Sequence, residues 1–341
     1  MAGGRRAREA LIPIGGRALI GVLLACCALA IGAAPALAVV NGKPVSPGQF
    51  DYVANVWIFG QEECTGVLLA PAWVITAGHC TSVSGAFSEG LVPSPVTFPA
   101  SAYTVFLGTP NADGSGGERH TVSQVVIDPD FLVTNGDGND VSLLHLSTPS
   151  KQPTMQIAPD KPKLWAAGVM ATVAGFGTTS DSSSVKPPTM RYAHVPFVTG
   201  AYCAEKYPFG PGIVADDGWY DPKTMVCAGY AQGGTDVCEG DSGGPILAPG
   251  VAGKLELIGT TSFGHGCAEP GWPTTYALAA GGPIREFLDQ HVPGAFATNA
   301  SHSRGSSRRR TRKHAPHKQR RHKARHKRAH HSHGHHRKRS D

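Results

Sequence analysis

Apolar residues in this chain fall into short runs, and clusters of glycine, proline, serine and aspartate separate the runs. Short apolar runs bounded by turn-forming residues are typical of strands in an all-β barrel or sandwich. The clearest runs predict strands over residues 67–70, 73–75, 103–107, 122–127, 141–146, 170–175 and 255–258. We therefore expect an all-β fold.

Residues 283–292 depart from this pattern and predict a helix near the end of the apolar region. Pro283 suits the first helical turn, and Ile284, Phe287 and Leu288 share one face at helical spacing. Pro293 and Gly294 follow and would end the helix. The sequence therefore predicts a carboxyl-terminal helix beside the strands.

Residues 1–38 have the order of features found in a secretory signal peptide. Four arginines stand within residues 1–17, an apolar stretch follows to about residue 34, and Ala36-Leu37-Ala38 ends the segment. A membrane anchor is the alternative, because the apolar stretch is near the lower length limit of a spanning helix. We favour the signal peptide, which predicts a secreted protein with no transmembrane anchor after signal removal.

Residues 301–341 form a strongly basic tail with 16 Lys or Arg, 10 His and one acidic residue. Residues 39–300 hold 11 Lys or Arg against 23 Asp or Glu, so the mild overall charge of +6 hides an acidic body. The tail has almost nothing apolar to bury, and we expect it to be disordered. Two interpretations remain open, a polyanion tether that retains the protein at a surface and an extension without a target.

The cysteine content agrees with export. Two of the eight cysteines lie in the predicted signal peptide, and the remaining six form an even set. An even set in a secreted protein predicts disulfides, but spacing alone leaves the pairing open. Zinc binding is a weak alternative because the six cysteines contain no CxxC pair. The six are Cys64, Cys80, Cys203, Cys227, Cys238 and Cys267.

Residues 236–245 read Asp-Val-Cys-Glu-Gly-Asp-Ser-Gly-Gly-Pro and carry the strongest chemical signal in the chain. Gly243 and Gly244 permit a tight loop that would expose the hydroxyl of Ser242 and direct backbone N–H groups at a developing negative charge. Nucleophilic acyl transfer needs this arrangement. An ordinary glycine-rich turn is the alternative.

Two further residues supply the partners that a serine nucleophile requires. His79 stands just after an apolar run, and Asp140 stands at the start of another. Each residue alone is more often structural, an exposed histidine or a turn aspartate. With Ser242, however, they give the chain order His, Asp, Ser of one known catalytic triad.

On these three motifs the sequence resembles the trypsin and chymotrypsin family of serine endopeptidases over nearly all of residues 39–292. The resemblance implies a protease domain over residues 39–300, with two packed antiparallel β-barrels at about 39–150 and 151–292. It implies that Ser242 attacks the scissile carbonyl, His79 transfers the proton and Asp140 orients His79. The N–H groups of Gly240 and Ser242 would form the oxyanion hole.

The family pattern also implies three disulfides, Cys64 with Cys80, Cys203 with Cys227, and Cys238 with Cys267. Three positions depart from the usual residues: Gly78 replaces an alanine, Phe263 a tryptophan and Pro273 a tyrosine. The change at Gly78 should be tolerated. The changes at Phe263 and Pro273 fall beside the expected substrate site, and they should alter its shape.

Asp236 carries the predicted specificity. It lies six residues before Ser242, where the trypsin branch keeps an acid at the base of its pocket, and a surface turn acid is the alternative. Gly264 and Gly271 match small pocket-wall positions, so the resemblance implies cleavage after Arg or Lys. Ser262 and Phe263 precede Gly264 on the expected substrate-pairing strand, and Glu239 matches the pocket mouth or is simply solvated.

Val39 resembles the mature amino terminus of the family, whose freed α-amino group pairs with the acid before the nucleophile, here Asp241. Ala38 directly precedes Val39, so signal removal itself would free this terminus. The resemblance implies protein or peptide substrates, and we predict a monomer with no cofactor or metal. A non-catalytic relative that only binds is the alternative, although none of the three triad residues is replaced.

Overall fold

A computed structural model describes residues 39–84, 95–131, 138–208, 218–250 and 253–297. The predicted signal peptide and the basic tail lie outside these residues. Within the described residues, no helix has the length and apolar character needed to cross a membrane.

Antiparallel strands are the main regular elements of the described chain, and two α-helices accompany them. The strands are β1 (Lys43–Pro44), β2 (Val53–Ile58), β3 (Gln61–Ala70), β4 (Trp73–Thr76), β5 (Ser82–Ser84), β6 (Pro95–Thr97), β7 (Tyr103–Leu107), β8 (Glu118–Ile127), β9 (Ser142–Leu146), β10 (Met170–Gly175), β11 (Arg191–Pro196), β12 (Met225–Ala228), β13 (Pro245–Pro249), β14 (Leu255–Phe263) and β15 (Thr274–Ala277). The helices are α1 (Gly200–Lys206) and α2 (Gly282–His291).

The first half of the described chain closes into a six-stranded barrel in the order β2-β3-β4-β9-β8-β7. Strand β7 shows why the sequence folds this way, since Tyr103, Val105 and Leu107 are buried while the residues between them are half-buried. Alternation of this kind puts every second side chain into the barrel interior. A core that includes Val56, Leu68 and Leu144 fills that interior.

The second half forms a seven-stranded antiparallel sheet in the order β1-β11-β10-β13-β14-β15-β12. A bridge between Phe197 and Ala228 joins the end of β11 to β12, so the sheet curls back on itself. Strand β1 pairs with β11, although it precedes the first barrel in the chain. The amino-terminal segment is thereby fixed to the second sheet. The prediction of an all-β fold of two antiparallel barrels is confirmed.

Helix α2 confirms the predicted carboxyl-terminal helix to within one residue at each end. Ile284, Phe287 and Leu288 are buried on its inner face, as the spacing predicts. Helix α1 was not predicted, because its seven residues are too few to establish a periodic pattern. The local signal was its cap, since the Thr199 hydroxyl accepts a hydrogen bond from the N–H of Tyr202 at 3.1 Å.

Candidate active site

Strand pairing in the first barrel brings His79 and Asp140 together. Strands β4 and β9 run antiparallel, with Thr76 opposite Ser142. His79 follows the end of β4, and Asp140 precedes the start of β9. Because the end of one antiparallel strand faces the start of its partner, two residues that are 61 positions apart in sequence become neighbours.

Two hydrogen bonds connect this pair. His79 Nδ1 lies 2.8 Å from Asp140 Oδ2, and the backbone N–H of His79 donates to Asp140 Oδ1 at 2.9 Å. Removal from water lowers the pKa of His79, but the Asp140 carboxylate outweighs this effect and leaves the pKa above its ordinary value. Burial raises the pKa of Asp140, but the His79 charge and hydrogen bonds lower it overall. The pair therefore stabilises an imidazolium beside a carboxylate.

Ser262 has a contact that could not be predicted from its position in the sequence. Its hydroxyl donates to Asp140 Oδ2 at 2.6 Å, and the residue is buried. The sequence placed Ser262 only at the substrate-pairing strand, because strand position gives no information about a side chain 122 residues away. The contact holds the Asp140 carboxylate from the second sheet while His79 holds it from the first barrel.

The loop before β13 brings Ser242 to the first barrel. The carbonyl of Ser242 accepts a hydrogen bond from the N–H of Thr65 at 2.8 Å, and the Thr65 hydroxyl donates to the carbonyl of Gly240 at 2.9 Å. Gly243 has a φ of 77°, and a Cβ there would lie 2.2 Å from the Thr76 hydroxyl oxygen. Glycine is therefore required for this loop to dock against the end of β4.

Ser242 and His79 line the same cavity, which has a volume of about 500 Å³. Glu239 and Gly240 also line it, as does the disulfide between Cys64 and Cys80. Within the described residues, no hydrogen bond joins the Ser242 hydroxyl to the His79 imidazole. Catalytic hydrogen bonds are often long without substrate and tighten in the complex. The structure thus brings the three sequence-predicted residues to one place and directly bonds two of them.

Two backbone N–H groups beside Ser242 remain available to a ligand. In the described part of the chain, the N–H groups of Gly240 and Ser242 have no hydrogen-bond acceptor. By contrast, the N–H of Asp241 donates to Cys238, and that of Gly243 donates to Thr261. Free N–H groups on both sides of Asp241 can therefore receive an anionic oxygen.

Asp236 is buried. Its Oδ1 accepts hydrogen bonds from the N–H of Val237 at 2.9 Å and from the Tyr276 hydroxyl at 3.4 Å. Burial raises the pKa of Asp236 to about 7. Pro273 does lie near this acid, because Gly229 adjoins both residues.

A small cavity of about 50 Å³ is lined by Ser242 and by Val237, the residue after Asp236. Four predicted substrate residues line it, namely Glu239, Ser262, Phe263 and Gly264. Asp236 itself does not line the cavity, although Thr274, which lowers the pKa of its carboxyl, does. Gly271 does not line this cavity. Its N–H donates to the carbonyl of Ala231, which places it farther along the adjoining loop.

Val39 and Asp241 are both fully buried. Asp241 accepts hydrogen bonds from the N–H of Gly177 at 2.8 Å and from that of Cys238 at 2.9 Å. Burial raises the pKa of Asp241 to about 7, and the Lys186 ammonium acts in the opposite direction. Val40 bridges to Asp236, so the segment that follows Val39 lies against the loop that contains both Asp236 and Ser242.

The six cysteines form the three pairs that the resemblance implies: Cys64–Cys80, Cys203–Cys227 and Cys238–Cys267. Cys64 and Cys80 lie within ligand distance of His79, but their sulfurs are bonded to each other and offer no thiolate to a metal. Gly78 accommodates Phe131, whose ring would lie 2.9 Å from a Cβ at that position. The glycine in place of the usual alanine therefore has a packing reason.

Comparison with known proteins agrees with this geometry. The Trypsin family model matches residues 39–281. The chain is 34% identical to human serine protease 56 over 77% of its own length, but it spans only 40% of that relative. It is 32% identical to a trypsin-like protease of Streptomyces glaucescens over 70% of the chain and 77% of the relative. It is 34% identical to a trypsin of Saccharopolyspora erythraea over 66% of the chain and 86% of the relative.

The matched residues include the motifs of His79, Asp140 and Ser242 and all six cysteines of the protease domain. The resemblance to the trypsin and chymotrypsin family is thereby confirmed. With its barrel, its second antiparallel sheet and its disulfides, this chain belongs to the trypsin family of serine endopeptidases.

Proposed function

We propose that this chain is a secreted endopeptidase that cleaves peptide bonds after Arg or Lys through His79, Asp140 and Ser242. The observation that carries the proposal is the meeting of a serine hydroxyl and an aspartate-paired imidazole in one open cavity. Labelling by a fluorophosphonate tests it, because such reagents need an activated serine. Label on Ser242 supports the proposal, and an unlabelled protein contradicts it.

In this mechanism the Ser242 hydroxyl attacks the scissile carbonyl carbon while His79 Nε2 takes its proton. Asp140 holds Nδ1 and stabilises the imidazolium, and Ser262 helps to hold Asp140. The N–H groups of Gly240 and Ser242 donate to the oxyanion. His79 then protonates the leaving amine as the C–N bond breaks, and water hydrolyses the acyl-enzyme by the same steps in reverse.

Asp236 is the proposed determinant of Arg or Lys preference. A buried carboxylate without a cation is unfavourable, which is why burial raises its pKa to about 7. A guanidinium or ammonium group that reaches Asp236 would stabilise the ionised form. The small cavity beside Ser242 must widen and open towards Asp236 to admit such a side chain.

The raised pKa of Asp236 predicts a pH-dependent affinity for benzamidine, a simple amidinium ligand. Below about pH 7 the carboxyl is mainly protonated in the free enzyme, so the cation must displace a proton when it binds. We expect Kd to rise roughly tenfold for each unit that pH falls below about 7. Calorimetry in buffers of different ionisation enthalpy should detect close to one released proton at about pH 6.

The Asp236→Ser variant is the control, because it retains the pocket but has no carboxyl to titrate. A Kd that is constant between about pH 5 and about pH 8 in the unaltered enzyme would contradict the assignment.

The amino terminus of the mature protein is predicted to be Val39. Signal removal after Ala38 would free the Val39 amine, and this amine would pair with the buried carboxylate of Asp241. We expect amino-terminal sequencing of secreted protein to begin at Val39, and a different amino terminus would contradict this prediction.

An enzyme specific for Arg and Lys would also cut its own basic tail. We expect mass spectrometry to find the tail only in Ser242→Ala. Equal tail loss in the unaltered protein and in Ser242→Ala would contradict this prediction.

Until it is cut, the tail would retain the protein on a polyanion such as anionic cell-wall polymer, nucleic acid or acidic polysaccharide. The charge of residues 301–341 supports this proposal. Binding of Ser242→Ala to an anionic polymer should weaken steeply with salt, and it should be lost when residues 301–341 are deleted.

A further inference from the structure

Two cavities meet at Ser242. The cavity towards Asp236 would take the side chain before the scissile bond. The other, of about 500 Å³, extends past His79 to Ile58, Phe59 and Phe98. We call this second space the aromatic cavity. In the described part of the chain it is the larger of the two cavities that Ser242 lines.

Phe59 is unusually placed for a phenylalanine. It stands with Gly60 in the two-residue turn between β2 and β3, and both residues have positive φ, 50° and 81°. Turns of this kind favour Asn-Gly, because a bulky side chain at positive φ is strained. Phe59 is also 65% exposed, so burial in the folded protein does not explain its presence. Strained residues that persist on a surface cluster at ligand sites.

Phe59 and Phe98 form one continuous aromatic surface. Their ring centroids are 5.3 Å apart, and the rings meet edge to face at 77°. The disulfide between Cys64 and Cys80 continues this apolar wall towards His79. Glu63 and Glu239 also line the cavity and would repel acidic ligands.

The position of the proton donor indicates which part of the substrate lies in the aromatic cavity. His79 must protonate the leaving amine, so the part of the substrate after the scissile bond lies on the His79 side of Ser242. The aromatic cavity occupies that side. We propose that Phe59 and Phe98 bind a large apolar side chain on the leaving-group segment, so that the preferred substrates carry Phe, Leu or a similar residue just after the cleaved bond. This inference rests on the proposed function and narrows its substrate class.

Capture of the acyl-enzyme by added amines tests the inference directly. The amine nitrogen attacks the acyl-enzyme carbonyl, the bond to the Ser242 oxygen breaks, and the proton returns to that oxygen through His79. An arginine ester serves as the common acyl donor, and the amides of Phe, Leu, Gly and Asp compete with water. The ratio of amide product to hydrolysis product measures binding on the leaving-group side alone.

We expect phenylalaninamide and leucinamide to capture the acyl-enzyme roughly tenfold better than glycinamide, and aspartamide to be the poorest. Phe59→Asn should reduce the ratio of phenylalaninamide to glycinamide capture by roughly tenfold. Asparagine tolerates positive φ, so the turn is retained. Met170→Ala is the matched control, because Met170 is exposed but lines neither cavity, and its ratios should be unchanged.

The two possible failures are distinguishable. Equal capture of the Phe and Gly amides by an active enzyme would overturn this inference and leave the proposed function intact. Absence of hydrolysis of both the arginine ester and a phenylalanine ester would overturn the proposed function instead. Faster turnover of the phenylalanine ester would overturn only the Arg or Lys preference, and the capture ratios could still be measured on that donor.

Discussion

Replacement of Ser242 by alanine is expected to lower kcat by about a millionfold on any peptide substrate. The variant loses the oxygen that forms the acyl-enzyme, while the free N–H groups of Gly240 and Ser242 and the substrate cavities remain. Residual turnover should therefore stay above the uncatalysed rate, because positioning and oxyanion binding survive. Turnover of a fluorogenic peptide amide measures the loss.

Two controls make this result specific to the hydroxyl. Ser182→Ala removes an exposed serine that lines neither cavity, and it should retain full activity. Thermal unfolding should show that Ser242→Ala is folded. A drop of tenfold or less in kcat would mean that another nucleophile carries the reaction, and the proposed mechanism would be wrong.

Asp236→Ser is expected to abolish the proposed preference for Arg and Lys. Breaking a buried charge pair costs about 3–5 kcal/mol, which corresponds to roughly a hundredfold to several thousandfold in kcat/KM. Because the loss depends on the substrate cation, peptides with Phe or Leu at the same position should be affected far less. A matched set of peptides that differ only at the residue before the cleaved bond measures this ratio.

Stability against pH provides an independent measure of the same carboxyl. Its pKa in the folded protein, about 7, is above the ordinary value of 3.8. A raised carboxyl pKa contributes stability that is present at acid pH and is lost as pH rises through about 7. The unaltered enzyme should therefore lose more stability between pH 4 and pH 8 than Asp236→Ser does, with unfolding followed by denaturant titration. The peptide set also gives the result that would contradict the specificity prediction. If Phe or Leu peptides are cleaved faster than Arg peptides by the unaltered enzyme, Asp236 is not the specificity determinant.

Only part of the role of Ser262 could be predicted from the sequence. Its position on β14 predicted a place at the substrate, and it does line the small cavity, but its hydroxyl also bonds Asp140. Phe59 is a second residue whose role could not be predicted from the sequence. Its exposure and positive φ appear only when the turn between β2 and β3 is built, and the sequence predicted neither β2 nor this turn.

The sequence by itself determined five of the six strands of the first barrel, wholly or in part, together with the carboxyl-terminal helix and the three motifs around His79, Asp140 and Ser242, whereas β2 was missed. Local periodicity and short motifs are sufficient for these, because they depend on residues that are near one another in the chain. Only the tertiary structure decided that Ser262 holds Asp140, that Thr65 receives the Ser242 loop, and that Phe59 and Phe98 extend the cavity beyond His79. These contacts join segments far apart in sequence, and their geometry is fixed by strand register and loop docking rather than by any local pattern.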